Sequence, residues 1–237
     1  TNNMFKIEPL TLDHVQSTWT GLRPLIQEEG KGPSELSRKE EIFTSKTNLI
    51  SIAGGKLTGY RKMAERIVDI VIDELPGSYP DCQTKEFKIH NDPFDSYEDY
   101  KNAILHLQKK YKVYDIVVDK MEYLVSTYGN DVQLILDNYM AIHSSDIDMP
   151  EAQILVEAQL QYSLEYESIS GIMDFLDRRT GWLFFNIDYV RKYHVLVAEK
   201  TAEYLGHGND WVQEQIAEAV KEIDIHSLQS YKDNAVS

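Results

Sequence analysis

The 237-residue sequence holds a single cysteine, Cys82. No internal disulfide can form, and a reducing compartment fits best. Glycine and proline are sparse, 12 and 7, which excludes collagen-like and low-complexity chains. No uninterrupted apolar run approaches the ~18 residues of a membrane span. The most apolar helical stretch, near residues 67–75, is broken by Asp69, Asp73 and Glu74. Positive charge is scarce: 24 Lys+Arg face 39 Asp+Glu, a formal net of −15 with a pI near 4.8. A nucleic-acid binder neutralises phosphates with Lys and Arg, so that class is excluded.

Several catalytic signatures are missing as well. The seven histidines show no His-x-x-x-His pair and no cysteine partner, so no metal site is expected. No Gly-x-Ser-x-Gly elbow marks a serine hydrolase, and neither an internal repeat nor a sustained heptad occurs. The first residues, TNNMFKIE, have no apolar signal core and begin on Thr rather than Met, which reads as a cut end.

What is present is an ordinary globular composition, 42% apolar and 27% charged, with an uneven charge distribution. Residues 1–90 carry 12 basic against 13 acidic side chains, and residues 91–237 carry 12 against 26. Such asymmetry predicts two units, 1–90 and 91–237, with different tasks. An anionic small molecule belongs with the first.

In the first unit a short strand is expected at Phe5 to Ile7 and a capped helical turn near Thr11 and Asp13. Pro24 disfavours helix at Arg23, so an extended segment follows. After the polar stretch EEGKGPSELSRKEE comes LISIA (49–53), read as a short, fully buried strand. Gly54-Gly55-Lys56 then leads into a helix over residues 58–75, with Met63, Ile67, Ile70 and Val71 at helical spacing and Pro76-Gly77 as the stop. Phe87 to Ile89 is a further candidate strand. From Ser96 onward the pattern is helical throughout. Segments are expected from Ser96, at 115–128 closed by Gly129, at 131–141, as an amphipathic run from Pro150 to Tyr166, and at 170–179, 188–205 and 209–223. The fold class is therefore an α+β N-terminal segment followed by an all-α helical bundle.

The strongest local chemistry lies in SIAGGKLTGYRK. A strand feeding two glycines into a helix N-terminus exposes backbone N–H groups beside the positive end of the helix dipole, with Lys56 adding a full charge. On local sequence alone, a plain tight turn with a solvated lysine is an equally good reading. It is not a Walker A loop, because Ile50 and Leu57 stand where Gly and Ser/Thr are required. Arg23, among apolar neighbours, is suited to bidentate contact with phosphate or carboxylate; a salt-bridged or snorkelling residue is the commoner fate. Arg38 in Ser37-Arg38-Lys39 says little alone. In the helical half, Arg178 and Arg179 with Asp174 and Asp177 read as an internal ion-pair network. The aromatics Tyr162, Tyr166, Trp182, Phe184, Phe185, Tyr189 and Tyr193 read as core.

Taken together, TWTGLRPLI, EEGKGPSELSRKEEIF, LISIAGGKLTGYRKMAERIVD and DFLDRRTGWLFFNIDYV resemble the C-terminal half of FAD-dependent (respiratory, aerobic) glycerol-3-phosphate dehydrogenases across nearly the whole chain. The related α-glycerophosphate oxidases often carry an insertion between the Arg-Pro and Ser-Arg elements. Here only fourteen residues separate Arg23 from Arg38, which favours the dehydrogenase. The resemblance implies that residues 1–90 are the return piece of a split FAD- and substrate-binding domain and 91–237 the helical C-terminal domain. Gly54, Gly55, Lys56, Leu57 and Thr58 would then contact FAD. Arg23, Arg38 and Lys56 would bind glycerol 3-phosphate, with Arg23 as the catalytic residue near C2. The resemblance further implies electron delivery to quinone and peripheral association with the inner face of the cell membrane. It leaves a homodimer open. With no Gly-x-Gly-x-x-Gly in the sequence, the chain reads as a fragment, inactive alone and not retaining FAD. Two other readings compete: a self-folding helical interaction module, and part of a flavin amine or amino-acid oxidase.

Overall fold

A computed structural model describes residues 4, 8–22, 40–87 and 94–228. The chain divides into two units. One is Thr20–His90, and the other joins Thr1–Trp19 to Asn91–Ser237.

In the smaller unit, strands β1 (Glu40–Thr44) and β2 (Ile50–Gly54) pair antiparallel, with Ile42 opposite Ile52. The turn between them is closed by Ser45, whose hydroxyl accepts from the Thr47 and Leu49 N–H groups at 3.2 and 3.0 Å. Asn48 takes the left-handed conformation there, at φ +60°, which Asn tolerates better than most residues. A 3-10 turn (Leu57–Gly59) runs directly into helix α1 (Tyr60–Glu74), which stops before Pro76 as its sequence requires. Met63, Ile67 and Ile70 are half-buried on one face of α1.

Two expectations change here. LISIA is not fully buried: Ile50 and Ile52 are half-covered while Ser51 and Ala53 are exposed. A two-stranded hairpin covers its apolar side chains on one face only, so burial alternates. The other change is an added strand, β1, on a segment read only as loop and its exit. Of the candidate strand at 87–89, Phe87 lies outside any strand and the rest lies outside the described residues, as does the strand expected at Phe5 to Ile7.

The larger unit is helical: α2 (Tyr97–Lys110), α3 (Asp115–Tyr128), α4 (Val132–Ser145), α5 (Glu151–Tyr166), a π-helical turn (Asp174–Arg179), α6 (Trp182–Phe185), α7 (Ile187–Leu205) and α8 (Asn209–His226). Local signals set most boundaries. The Ser96 hydroxyl accepts from the Asp99 N–H at 3.1 Å and caps α2. Gly129 and Gly206 follow the last residues of α3 and α7 at positive φ.

Helix α5 departs from the amphipathic expectation, because residues 154–160 are all buried. Its Ile154, Leu155, Ala158 and Tyr162 join one core with α2, α3 and α4, while Val156 and Leu160 join a second with α6, α7 and α8. A helix covered on all sides must satisfy its polar groups internally. Gln159 accepts from the Tyr128 hydroxyl at 3.2 Å. Glu157 accepts from Gln153 at 3.0 Å and pairs with Lys200 at 3.5 Å.

Residues 8–19, expected with the 1–90 piece, group with the helical unit. The Thr18 N–H donates to the His226 carbonyl at 2.8 Å, and Trp19 packs on Phe184.

Of the expected network of Arg178 and Arg179 with Asp174 and Asp177, only the Arg178–Asp174 pair forms among the described residues, while Arg179 donates to the Glu167 carbonyl at 2.8 Å. Asp174 accepts from the Ser170 and Gly171 N–H groups at 2.9 and 3.1 Å and from Arg178 at 2.7 Å. Burial alone would raise its pKa, but these hydrogen bonds and the Arg178 charge outweigh it and hold the carboxyl below its usual value. A carboxyl depressed in the folded state stabilises above the unfolded value of about 3.9 and loses that contribution as pH falls through the lower folded value. Asp174→Asn is therefore expected to lower stability by about 1–3 kcal/mol at neutral pH. The gap to the parent chain should narrow below about pH 4. Thermal midpoints followed by circular dichroism across that range check this, and a gap independent of pH would contradict it.

Candidate functional site

The strand β2, the glycine turn and the start of α1 bring Gly54, Gly55, Lys56, Leu57 and Thr58 together in one stretch of chain. Gly54 and Gly55 both stand at φ +80°, a region that side-chain-bearing residues rarely adopt. A Cβ on Gly55 would meet the Met63 sulfur at 2.8 Å and Glu40 Cβ at 3.4 Å. Glycine is thus needed at Gly55 for its conformation and for the close packing of Met63 and Glu40. Arg66 forms an ion pair with Glu40, tying α1 to β1 beneath the turn.

No side chain caps the 3-10 turn or α1. The first N–H groups of a helical start have no intrahelical acceptor, so Leu57 and Thr58 offer theirs outward at the positive end of α1. Both residues are exposed, as is Lys56. Charges farther along α1 are already paired. Arg61 and Lys62 bind Glu65 at 2.8 and 2.5 Å, and Lys62 first, then Arg61, holds that carboxyl below its ordinary range. Lys56 has no carboxylate partner among the described residues. The result is an exposed electropositive turn built from backbone donors and one lysine ammonium that is unpaired among the described residues, fit for an electron-rich or anionic group.

Arg23 and Arg38 lie outside the described residues. Sequence reasoning missed Glu40 and Met63, which shape the turn. Met63 was visible as a helix-face residue, but Glu40 reaches the turn only through strand pairing.

Elsewhere, no group of three or more His, Cys, Asp or Glu among the described residues could hold a metal ion. No helix among them is long and apolar enough to cross a membrane. The aromatic cluster is only partly core: Tyr162, Trp182 and Tyr193 are buried, whereas Phe185 and Tyr166 are 73% and 56% exposed.

A β-hairpin ending in a glycine turn and helix, followed by a two-core helical bundle, defines the class: a helical domain appended to a small α+β segment. More specifically, the chain belongs to the family described as the C-terminal domain of alpha-glycerophosphate oxidase, whose family model matches residues 82–216. Among curated proteins it is 36% identical over 228 residues to an aerobic glycerol-3-phosphate dehydrogenase of Staphylococcus haemolyticus, covering 94% of this chain and 40% of that protein. It is 38% identical over 206 residues to the Bacillus subtilis protein of the same name, covering 85% and 37% respectively. Among solved structures it resembles the glycerol-3-phosphate dehydrogenase of Bacillus halodurans complexed with FAD. The TM-score there is 0.76 at 34% identity, covering 95% of this chain and 43% of that one. The chain thus spans about two fifths of the length of the curated relatives it matches.

Proposed function

We propose that this chain is the C-terminal part of a flavin-dependent dehydrogenase that oxidises sn-glycerol 3-phosphate to dihydroxyacetone phosphate and passes the electrons on to quinone. The observation that supports this best is the glycine turn. It presents uncapped N–H groups and a Lys56 without a carboxylate partner among the described residues, on a chain of which 95% matches the FAD-complexed relative. FAD, when bound, supplies the hydride acceptor. The residues at Gly54, Gly55, Leu57 and Thr58 fit a flavin: the glycines take the positive-φ turn that ends the strand, and the helix start behind it favours electron-rich oxygens and nitrogens. In the same reading Lys56 and Arg38 hold the substrate phosphate, and Arg23 contacts the substrate oxygens near C2. An arginine stays protonated, so Arg23 and Arg38 orient and neutralise charge and do not accept the hydroxyl proton. The 237 residues alone hold no flavin in this reading, since the sequence has no Gly-x-Gly-x-x-Gly turn. The complete protein lies at the inner face of the cell membrane, its acidic helical unit turned away from anionic lipid.

Anaerobic titration of the complete protein with glycerol 3-phosphate, following flavin absorbance, tests this. Bleaching at stoichiometric substrate is the expected result. Bound flavin that fails to bleach points to another substrate, amines first, and a complete protein without flavin removes the proposal.

A further inference from the structure

Helix α5 lies between two cores, and that arrangement leaves a groove. Helices α4 and α7 both pack against α5 but scarcely touch each other, so a cleft remains over the C-terminal half of α5. Its volume is about 460 Å³, within the range of about 300–1,000 Å³ usual for small-molecule sites. The apolar wall is made by Ile142 from α4 with Leu160 and Leu164 from α5. The polar edge is made by Glu157 from α5 with Lys200 and Glu203 from α7, and Tyr204 adds an aromatic ring.

Charge along that edge does not balance. The Lys200 ammonium stands 3.5 Å from Glu157 Oε2 and 3.8 Å from Glu203. Both distances exceed the roughly 2.7–3.2 Å of a well-formed N–H···O bond. One cation is thus stretched between two carboxylates and bonds closely to neither. Glu157 is the more demanding of the two, because its side chain is only 9% exposed. Gln153 donates to its Oε1 at 3.0 Å, but no hydrogen bond among the described residues reaches Oε2 more closely than the Lys200 contact. A buried carboxylate oxygen short of donors is a standing cost to the fold.

The chemistry of an occupant follows. Two carboxylates repel an anion, and the one ammonium present is already engaged. No group of three or more His, Cys, Asp or Glu among the described residues could hold a metal ion. What the edge lacks is a second positive charge that carries N–H donors, and what the wall offers is apolar surface. We propose that this groove binds a small organic cation, a primary ammonium that donates to Glu157 and Glu203 on an apolar body seated against Leu160 and Leu164. The site lies wholly within the helical unit and does not depend on the flavin reading of the glycine turn.

The test titrates phenylbutylammonium into the complete protein, followed by ligand-observed NMR. Saturable binding is expected. Phenylbutanol, which brings the same apolar body without the charge, should bind about tenfold more weakly, and phenylbutyrate should not bind. Lys200→Gln carries the sharpest expectation: it removes the resident cation and leaves both carboxylates, so affinity for the ammonium should rise about tenfold. Glu157→Gln should lower it about tenfold. If Glu157→Gln fails to fold, Glu203→Gln, at a carboxylate 76% exposed, should lower it roughly threefold. Equal affinity for the ammonium and the alcohol overturns cation recognition. Binding that none of the variants moves puts the amine elsewhere in the complete protein and overturns the site, as does the absence of saturable binding.

Discussion

Lys56→Ala in the complete protein is expected to lower kcat/KM for glycerol 3-phosphate roughly 10- to 100-fold while bound flavin is retained. The magnitude follows from losing one charge-assisted hydrogen bond to a phosphate, about 1.5–3 kcal/mol. Lys56 is exposed at the mouth of the glycine turn, and among the described residues no carboxylate neutralises it. Its neighbours Arg61, Lys62 and Arg66 are committed to Glu65 and Glu40, so they cannot take over its role without breaking those pairs. The backbone N–H groups of Leu57 and Thr58 do not depend on the Lys56 side chain, which is why flavin should stay. Steady-state kinetics with flavin absorbance on the same preparation check both halves. Unchanged kinetics in both Lys56→Ala and Arg38→Ala would contradict the assignment, and loss of flavin in Lys56→Ala would move this residue from substrate to cofactor.

The second large effect concerns the bundle. Phe175→Ala should destabilise the helical unit by about 3–5 kcal/mol, lowering its thermal midpoint by on the order of 10 °C or more. Phe175 is fully buried and meets the Trp182 ring at 5.2 Å. Its carbonyl also accepts from the Thr180 N–H at 3.1 Å and hydroxyl at 2.8 Å, which holds the π-helical turn. The cavity left by alanine cannot refill, because the surrounding side chains come from separate helices already packed against one another. Ile147→Ala serves as the control: that residue is 77% exposed, and its removal should cost less than about 0.5 kcal/mol. Thermal unfolding of the two variants side by side distinguishes them, and similar midpoints would show that Phe175 is not a core residue.

Much of the helical unit is legible locally. Ser96 caps α2 through its own hydroxyl, Gly129 and Gly206 supply positive φ at helix ends, and Pro150 precedes α5. Each of these acts within a few residues, so the chain announces it in order. The glycine turn is legible for the same reason, since a strand, two glycines and a helix face lie in one short stretch.

The misreadings have the opposite character. Strand β1 hides behind Glu40 and Glu41, and it becomes a strand only by pairing with β2 ten residues on. LISIA reads as buried because apolar composition does not say how many neighbours will cover it. Helix α5 reads as amphipathic, yet its Glu157 and Gln159 are buried, where Lys200 on α7 and Tyr128 on α3 meet them. Nothing near Trp19 in sequence indicates that its partners are Phe184 and Phe185, more than 160 residues away.

The sequence by itself therefore determined the two-part division in charge, the helix ends, and the glycine turn with its lysine, all of which rest on short-range sterics, hydrogen bonding and periodicity. Only the tertiary structure decided that α5 lies between two cores, that Met63 and Glu40 brace Gly55, and that residues 8–19 serve the helical unit. Those outcomes depend on which distant surfaces exclude water together, a free energy that no local stretch of chain contains.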